Sequence, residues 1–264
     1  DAKQATVLLD QTPFYAESGG QVGDQGTIER PGLKLKVVDT KKLDKYFLHH
    51  VEILAGTLTD GVEITASVDR SLREGIMRNH TATHLLHAAL RTALGNSVRQ
   101  LGSLVTPDRL RFDFSFGRAV TVEELRAVEQ SANEQILKDL AVKKEAKRLE
   151  EAKKDGALAF FGDKYGNTVR MISIPGFSKE LCGGTHCDHT GQIGMLVITG
   201  ESSVASGVRR IEAVTGTAAL AYVRTLQDQI AEISKTLKVG AADIAVRIAK
   251  LMESLKAQKK QASQ

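Results

Sequence analysis

Two short stretches hold most of the side chains able to do chemistry. RNHTATHLLH, residues 78–87, carries three histidines, and CGGTHCDH, residues 182–189, carries both cysteines and two more of the seven histidines. His80 and His84 are four apart, a spacing that sets both imidazoles on one face of a helix and within reach of one ion. Cys182 and His186 bracket a Gly-Gly pair whose backbone can turn tightly enough for the two side chains to converge. Three nitrogens and a thiolate suit a tetrahedral Zn²⁺, one per chain, at bond lengths of about 2.0–2.3 Å. On spacing alone His87, Cys187 and His189 compete for places in that set, and a purely structural zinc fits the pattern as well as a reactive one. A disulfide is not expected, because cysteines so placed fit a reducing compartment better than an oxidising one.

These side chains need elements to hold them. Residues 1–67 read as short strands and turns around the Gly-rich ESGGQVGDQG, with alternation in LKLKVVDT and ITASV, as in a small β-barrel-like subdomain. Asp69 can cap a helix whose apolar spacing runs through Leu72, Ile76, Leu85, Leu86, Ala89 and Leu94 to Gly95, with Gly75 a candidate break. RLRFDFSF, residues 109–116, alternates as a strand does. Thr121 and Glu124 make a capping box that opens a helix expected to run to Lys154, its charged end solvated or facing nucleic acid. VRMISI, MLVITG and RRIEAVTG follow as strands. The expected fold class is α+β: the barrel-like front, a mixed α/β core over residues 68–216, and a coiled-coil-like helical extension over 217–264. In that extension Leu220, Val223, Leu226, Ile230, Ile233 and Leu237 step by three or four, and Ile244, Ile248, Leu251 and Leu255 resume after Gly240, a seam that wants a partner helix.

Composition bounds the setting. A 264-residue chain with 42% hydrophobic and 26% charged residues is globular, and it has no run near the roughly 18–20 apolar residues of a membrane span, so a cytoplasmic protein is expected. The net charge of +4 is compatible with a polyanionic partner without identifying one. The opening DAKQATVLLDQ, charged and without Met, reads as a piece cut from a longer polypeptide or as a chain processed at its front.

Taken in order, QTPFYAESGGQVGDQG at 11–26, RNHTATHLLHAALR at 78–91, CGGTH at 182–186, TGQIG at 190–194 and SGVRRIEAVTG at 206–216 resemble the editing domain of alanyl-tRNA synthetases over almost the whole of the first 216 residues. The resemblance implies zinc ligands His80, His84, Cys182 and His186, and hydrolysis of tRNA(Ala) wrongly charged with serine or glycine. It implies tRNA(Ala) and the rest of a synthetase chain as partners, a possible homodimer through the C-terminal helices, and no membrane. No stretch resembles the class II ATP-binding motifs, so ATP and Mg²⁺ are expected only in the full-length parent. CDHTG departs from the family wording, because Cys187 is not expected there.

A synthetic pocket built for alanine cannot reject serine or glycine strongly, so an editing site must demand a feature that alanine lacks. Thr83 and Gln100 are the polar residues expected near the serine hydroxyl, with Cys182 counted among the catalytic residues; the resemblance supports the first two as pocket residues. A back-bonded helical threonine and a loop glutamine are the plain alternatives. Four protein ligands fill a tetrahedron, which favours a zinc that positions substrate over one that ionises water. Backbone N–H groups at Gly19 and Gly20 are candidates to approach the acceptor end of tRNA, and Arg209 and Arg210, with the Lys and Arg residues of 143–154, are candidate phosphate contacts. Three other readings stay open: a zinc-stabilised tRNA-binding or dimerisation module without catalysis, a free-standing relative acting in trans, and the related domain of threonyl-tRNA synthetase.

Overall fold

The computed structural model describes residues 3–159 and 166–262. Chain contacts divide it into two compact units, Asp1–Ala218 and Ala219–Gln264.

The first unit opens with β1 (Gln4–Val7), β2 (Gly26–Arg30), β3 (Leu33–Leu43), β4 (Tyr46–Ala55) and β5 (Thr65–Val68), all antiparallel in the order β1-β4-β3-β2-β5. β1 and β5 are the edges and do not pair among the described residues, so the front is an open sheet and not the barrel-like unit expected from its alternating strands. Its alternation is real: Leu33, Leu35 and Val37 turn inward while Lys34 and Lys36 face water. The Gly-rich stretch folds back on itself through paired backbone bonds between Ser18 and Gln21, with Gly19 and Gly20 both at positive φ, as a two-residue hairpin turn requires.

α1 (Arg70–Leu94) starts at Asp69, whose carboxylate accepts from Ser71 N and Leu72 N, and stops at Gly95. It is one unbroken helix, contrary to the break anticipated at Gly75. That glycine serves packing instead: a Cβ there would sit 2.6 Å from the Pro107 carbonyl oxygen. β6 (Gln100–Val105) and β7 (Leu110–Ser115) join β11 (Leu196–Ala205) and β12 (Val208–Thr215) in a four-stranded antiparallel sheet ordered β11-β12-β7-β6. Leu110, Phe112 and Phe114 of β7 are fully buried and form the main core with Leu85, Leu86, Ala89 and Leu90 of α1 and Val128, Ala132 and Ile136 of α2 (Val122–Leu137). Each such large side chain contributes about 1.5–3 kcal/mol on burial.

The helix anticipated from Thr121 to Lys154 is instead three elements. The capping box at Thr121 and Glu124 is formed, but α2 ends at Leu137 and Asp139 takes φ +49°. The charged run then forms β8 (Lys143–Arg148) and the short α3 (Leu149–Lys154). Its Lys, Glu and Ala favour helix intrinsically, yet pairing along β9 (Thr168–Ile174) satisfies the backbone better. β9 also pairs β10 (Ser178–Leu181), giving a small sheet ordered β10-β9-β8 that delivers the CGGTH segment directly after its edge strand.

α4 (Gly216–Leu237) leads into the second unit, where Gly240 and a 3-10 turn precede α5 (Ile244–Ala262). Leu226, Ile230 and Ile233 on α4 and Ile248, Leu251 and Leu255 on α5 are exposed. No described helix is long and apolar enough to cross a membrane.

Candidate metal centre

The two halves meet. One donor atom from each of His80, His84, Cys182 and His186 lies within 4.8 Å of all the others. Cys182 Sγ is 3.3 Å from His80 Nε2 and 3.3 Å from His186 Nε2; bonds of 2.0–2.3 Å to a tetrahedral zinc imply ligand-to-ligand edges of about 3.3–3.8 Å. The His80 and His84 rings, one turn apart on α1, stack at 5.6 Å, and the His186 ring lies 4.3 Å and 4.9 Å from them.

Each imidazole is oriented by its other nitrogen. His80 Nδ1 donates to Gln21 Oε1 at 2.7 Å, and Gln21 is fixed in that orientation because the same oxygen accepts from Thr185 N while its amide donates to Thr185 Oγ1. His84 Nδ1 donates to Glu180 Oε2 at 2.5 Å. His186 Nδ1 reaches Thr81 Oγ1 at 3.4 Å; that hydroxyl donates to Met77 O and accepts from Cys187 N. All three Nε2 atoms are thereby left for the centre of the cluster, and His84 Nε2 is buried there with no hydrogen-bond partner among the described residues. An orphaned buried nitrogen beside a thiol and two further imidazoles is what a metal ion satisfies, so the residues fit zinc.

The electrostatics also favour a cation. Burial pushes the Cys182 thiol up, but His80 and His186 outweigh it and hold the thiol well below its ordinary value. Burial opposes charge on His84, yet the Glu180 carboxylate and the Cys182 sulfur push it up to about 10. Glu180 itself is held down to about 2, its burial more than offset by His84 and His87. Burial and then repulsion from His80 lower His186 to about 3.

The rivals for ligation are elsewhere. His87 donates to Glu180 Oε1 at 2.8 Å and packs on Phe112. Cys187 is buried in the main core, where burial pushes its thiol up, and both cysteines are free. His189 is exposed at the start of the 3-10 turn Thr190–Ile193. Of the Gly-Gly pair, the second member is the constrained one: a Cβ on Gly184 would collide with the His80 ring and Gln21 Oε1, whereas one on Gly183 meets nothing. Arg170 holds the Gly184 carbonyl.

Thr83 is buried on α1 and donates back to Asn79 O at 2.8 Å. Gln100 opens β6, half-buried. Gly20 lies against β6, where a Cβ would collide with the Ser103 carbonyl, and its own carbonyl accepts from Val105 N; Gly19 is exposed. Arg209 forms a two-pronged pair with Glu201 at 2.5 and 2.7 Å, and Arg210 another with Asp113 at 2.7 and 2.8 Å. In the 143–154 run, Lys144 pairs with Asp188, Lys147 with Asp155, and Lys153 with Glu150. Gln21, Glu180 and Thr81, which orient the three histidines, were not singled out from sequence. The one available signal was the position of Gln21 inside the Gly-rich motif and of Glu180 two residues before Cys182.

Residues 1–72 match the family model described as tRNA synthetases class II (A), and residues 169–212 match that of the threonyl and alanyl tRNA synthetase second additional domain. The class is therefore that of a class II synthetase segment bearing the additional domain, with β9 from Val169 onward, all of β10, and Cys182 and His186 inside the matched region. Across 98% of its length the chain is 52% identical to the alanine–tRNA ligase of Acetivibrio thermocellus and 48% identical to that of Halorhodospira halophila, and across 100% it is 47% identical to that of Pseudomonas fluorescens. The chain belongs to the alanine–tRNA ligase family, and it spans about 30% of the length of these relatives.

Proposed function

We propose that this chain is the editing segment of an alanine–tRNA ligase, a deacylase that hydrolyses the ester of Ser-tRNA(Ala) and Gly-tRNA(Ala) at a zinc-containing site. The observation that carries the reading is the convergence of three imidazoles and a thiol from α1 and from the segment matching the additional domain of threonyl and alanyl synthetases. Zinc held by His80, His84, Cys182 and His186 would supply a Lewis acid able to hold an electronegative group of the aminoacyl ester. Attack by water on the ester carbonyl releases the amino acid and returns the proton to the ribose oxygen. Thr83 gives its hydroxyl hydrogen to Asn79 O, so its oxygen can only accept; a serine hydroxyl can donate into it and an alanine methyl cannot. Gln100 is assigned to the same pocket on the resemblance. Gly19 and Gly20 are assigned to the acceptor end of tRNA. Arg209 and Arg210, each already engaged by a carboxylate, would offer phosphates only their remaining N–H groups.

The reading brings with it the rest of the synthetase chain, where ATP and Mg²⁺ belong, a second copy met through residues 217–264, and a cytoplasmic setting. The purified chain is expected to deacylate Ser-tRNA(Ala) while sparing Ala-tRNA(Ala). Cys182→Ala is expected to lower that rate about 100-fold or more with its circular dichroism unchanged. Hydrolysis no faster than buffer at high enzyme concentration would sink the proposal and leave a zinc-stabilised tRNA-binding module, a reading the four-ligand set also favours.

A further inference from the structure

The three cluster histidines are not held alike. His80 meets a neutral amide oxygen and His186 a hydroxyl at 3.4 Å, whereas His84 meets a carboxylate at 2.5 Å. That carboxylate, Glu180 on β10, is only 2% exposed. Both of its oxygens are used: Oε2 by His84 Nδ1, and Oε1 by His87 Nδ1 at 2.8 Å and, at 3.4 Å, the Ser178 hydroxyl. Burying a carboxylate is strongly unfavourable unless its charge and lone pairs are met, so so complete an enclosure calls for a cation nearby. His84 meets that need through its own ring, and an ion on His84 Nε2, which has no hydrogen-bond partner among the described residues, would keep the positive charge there once the ring gives up its second proton.

We propose that Glu180 is the positioning residue of the metal centre, an inference that rests on reading the four-residue cluster as one. It fixes His84 as an Nε2 ligand and raises the donor strength of that nitrogen through a charge-assisted bond, which makes His84 the anchor among the three imidazoles. It also completes the charge balance: a Cys182 thiolate and a Glu180 carboxylate together cancel the two positive charges of a divalent ion in a buried site. His87, which the sequence offers as a rival ligand, holds the other oxygen of Glu180 and keeps the carboxylate facing His84.

The test is metal binding by the 264-residue chain, with Zn²⁺ measured by competition against a chromophoric chelator and Co²⁺ followed by its sulfur-to-metal charge-transfer and d–d bands. Glu180→Gln is isosteric but offers one acceptor oxygen where two are used, and no charge. It is expected to weaken both ions about 10- to 100-fold and to shift the cobalt d–d bands, while metal-free wild type and variant keep the same circular dichroism; Glu180→Asp is expected to recover part of the loss. Affinity within twofold of wild type and an unchanged cobalt spectrum would overturn the proposal. An independent measurement needs no variant. In nitrogen-15 histidine spectra of the zinc-loaded wild type, His84 should carry its proton on Nδ1, with the most downfield N–H of the three ligand rings. Finding Nδ1 on the metal, or an N–H shift no different from that of His80, would also overturn it. Wild type that binds no zinc would instead refute the metal centre itself.

Discussion

At the scale of single residues the cluster is held together by groups that are not members of it. Gly184 is the sharpest case. A methyl there would run into the His80 ring and the Gln21 amide oxygen, and both would have to move for it to fit. Gly184→Ala is therefore expected to lower zinc affinity about 10- to 100-fold with all four ligands intact, whereas Gly183→Ala, which meets open space, should bind as wild type does; chelator competition on the two variants checks the contrast. The four converging side chains are legible in the sequence as candidates, because His–x₃–His on a helix and Cys–x₃–His around glycines are local spacings. The residues that orient them are not. Gln21 reaches Thr185 across 164 positions and Glu180 reaches His84 across 96, and no local pattern marks an ordinary glutamine or glutamate as a partner at that distance. Thr81 was equally hidden, since a threonine two positions before Thr83 has the same helical credentials until His186 arrives beside it.

At the scale of elements, α1 shows packing overruling propensity. Replacing a mid-helix glycine by alanine normally stabilises by about 1 kcal/mol. At Gly75 the new methyl would lie 2.6 Å from the Pro107 carbonyl oxygen and 3.1 Å from its Cα, a backbone clash with no flexible side chain to yield. Overpacking of this kind costs about 1–3 kcal/mol, so Gly75→Ala is expected to destabilise by up to about 2 kcal/mol; urea unfolding would measure it, and a gain in stability would refute the packing account. The same helix was read correctly at its ends, because Asp69 and Gly95 act through bonds to neighbours within the helix. The charged run after α2 departs from the expected helix for the converse reason. KKEAKR has helical composition, and only the partner strand Val169–Ser173 facing Lys147–Lys143 makes it β8. The open front sheet followed the same logic: alternation identifies strands, but whether the edges close depends on β1 and β5 meeting, which no single strand encodes.

At the scale of the whole molecule, acid acts on the centre from several sides with one sign. The folded state holds the Glu180 carboxyl at about 2, holds the Cys182 thiol low and holds His186 at about 3, each below its ordinary value. A group whose folded value is depressed binds fewer protons than in the unfolded chain, so its stabilisation is lost as pH falls. For His186 the loss runs from about 6.5 down to about 3, and for Glu180 from about 4.5 down to about 2. His84, raised to about 10, contributes a constant amount below about 6.5 and does not offset this. The melting temperature is expected to fall steadily from pH 6.5 towards pH 3, more steeply with zinc bound because acid also competes for the ligands; a flat profile would contradict it. The separation of the half-sites has one more consequence. His80 and Cys182 are 102 residues apart. At about 5–20 residues per second, a ribosome delivers the first pair of imidazoles roughly 5–20 s before the thiol that completes them. On the proposed reading, an ion captured in that interval would have only two ligands and would exchange freely with the cell's pool, so the choice of metal would wait for the CGGTH segment to leave the exit tunnel.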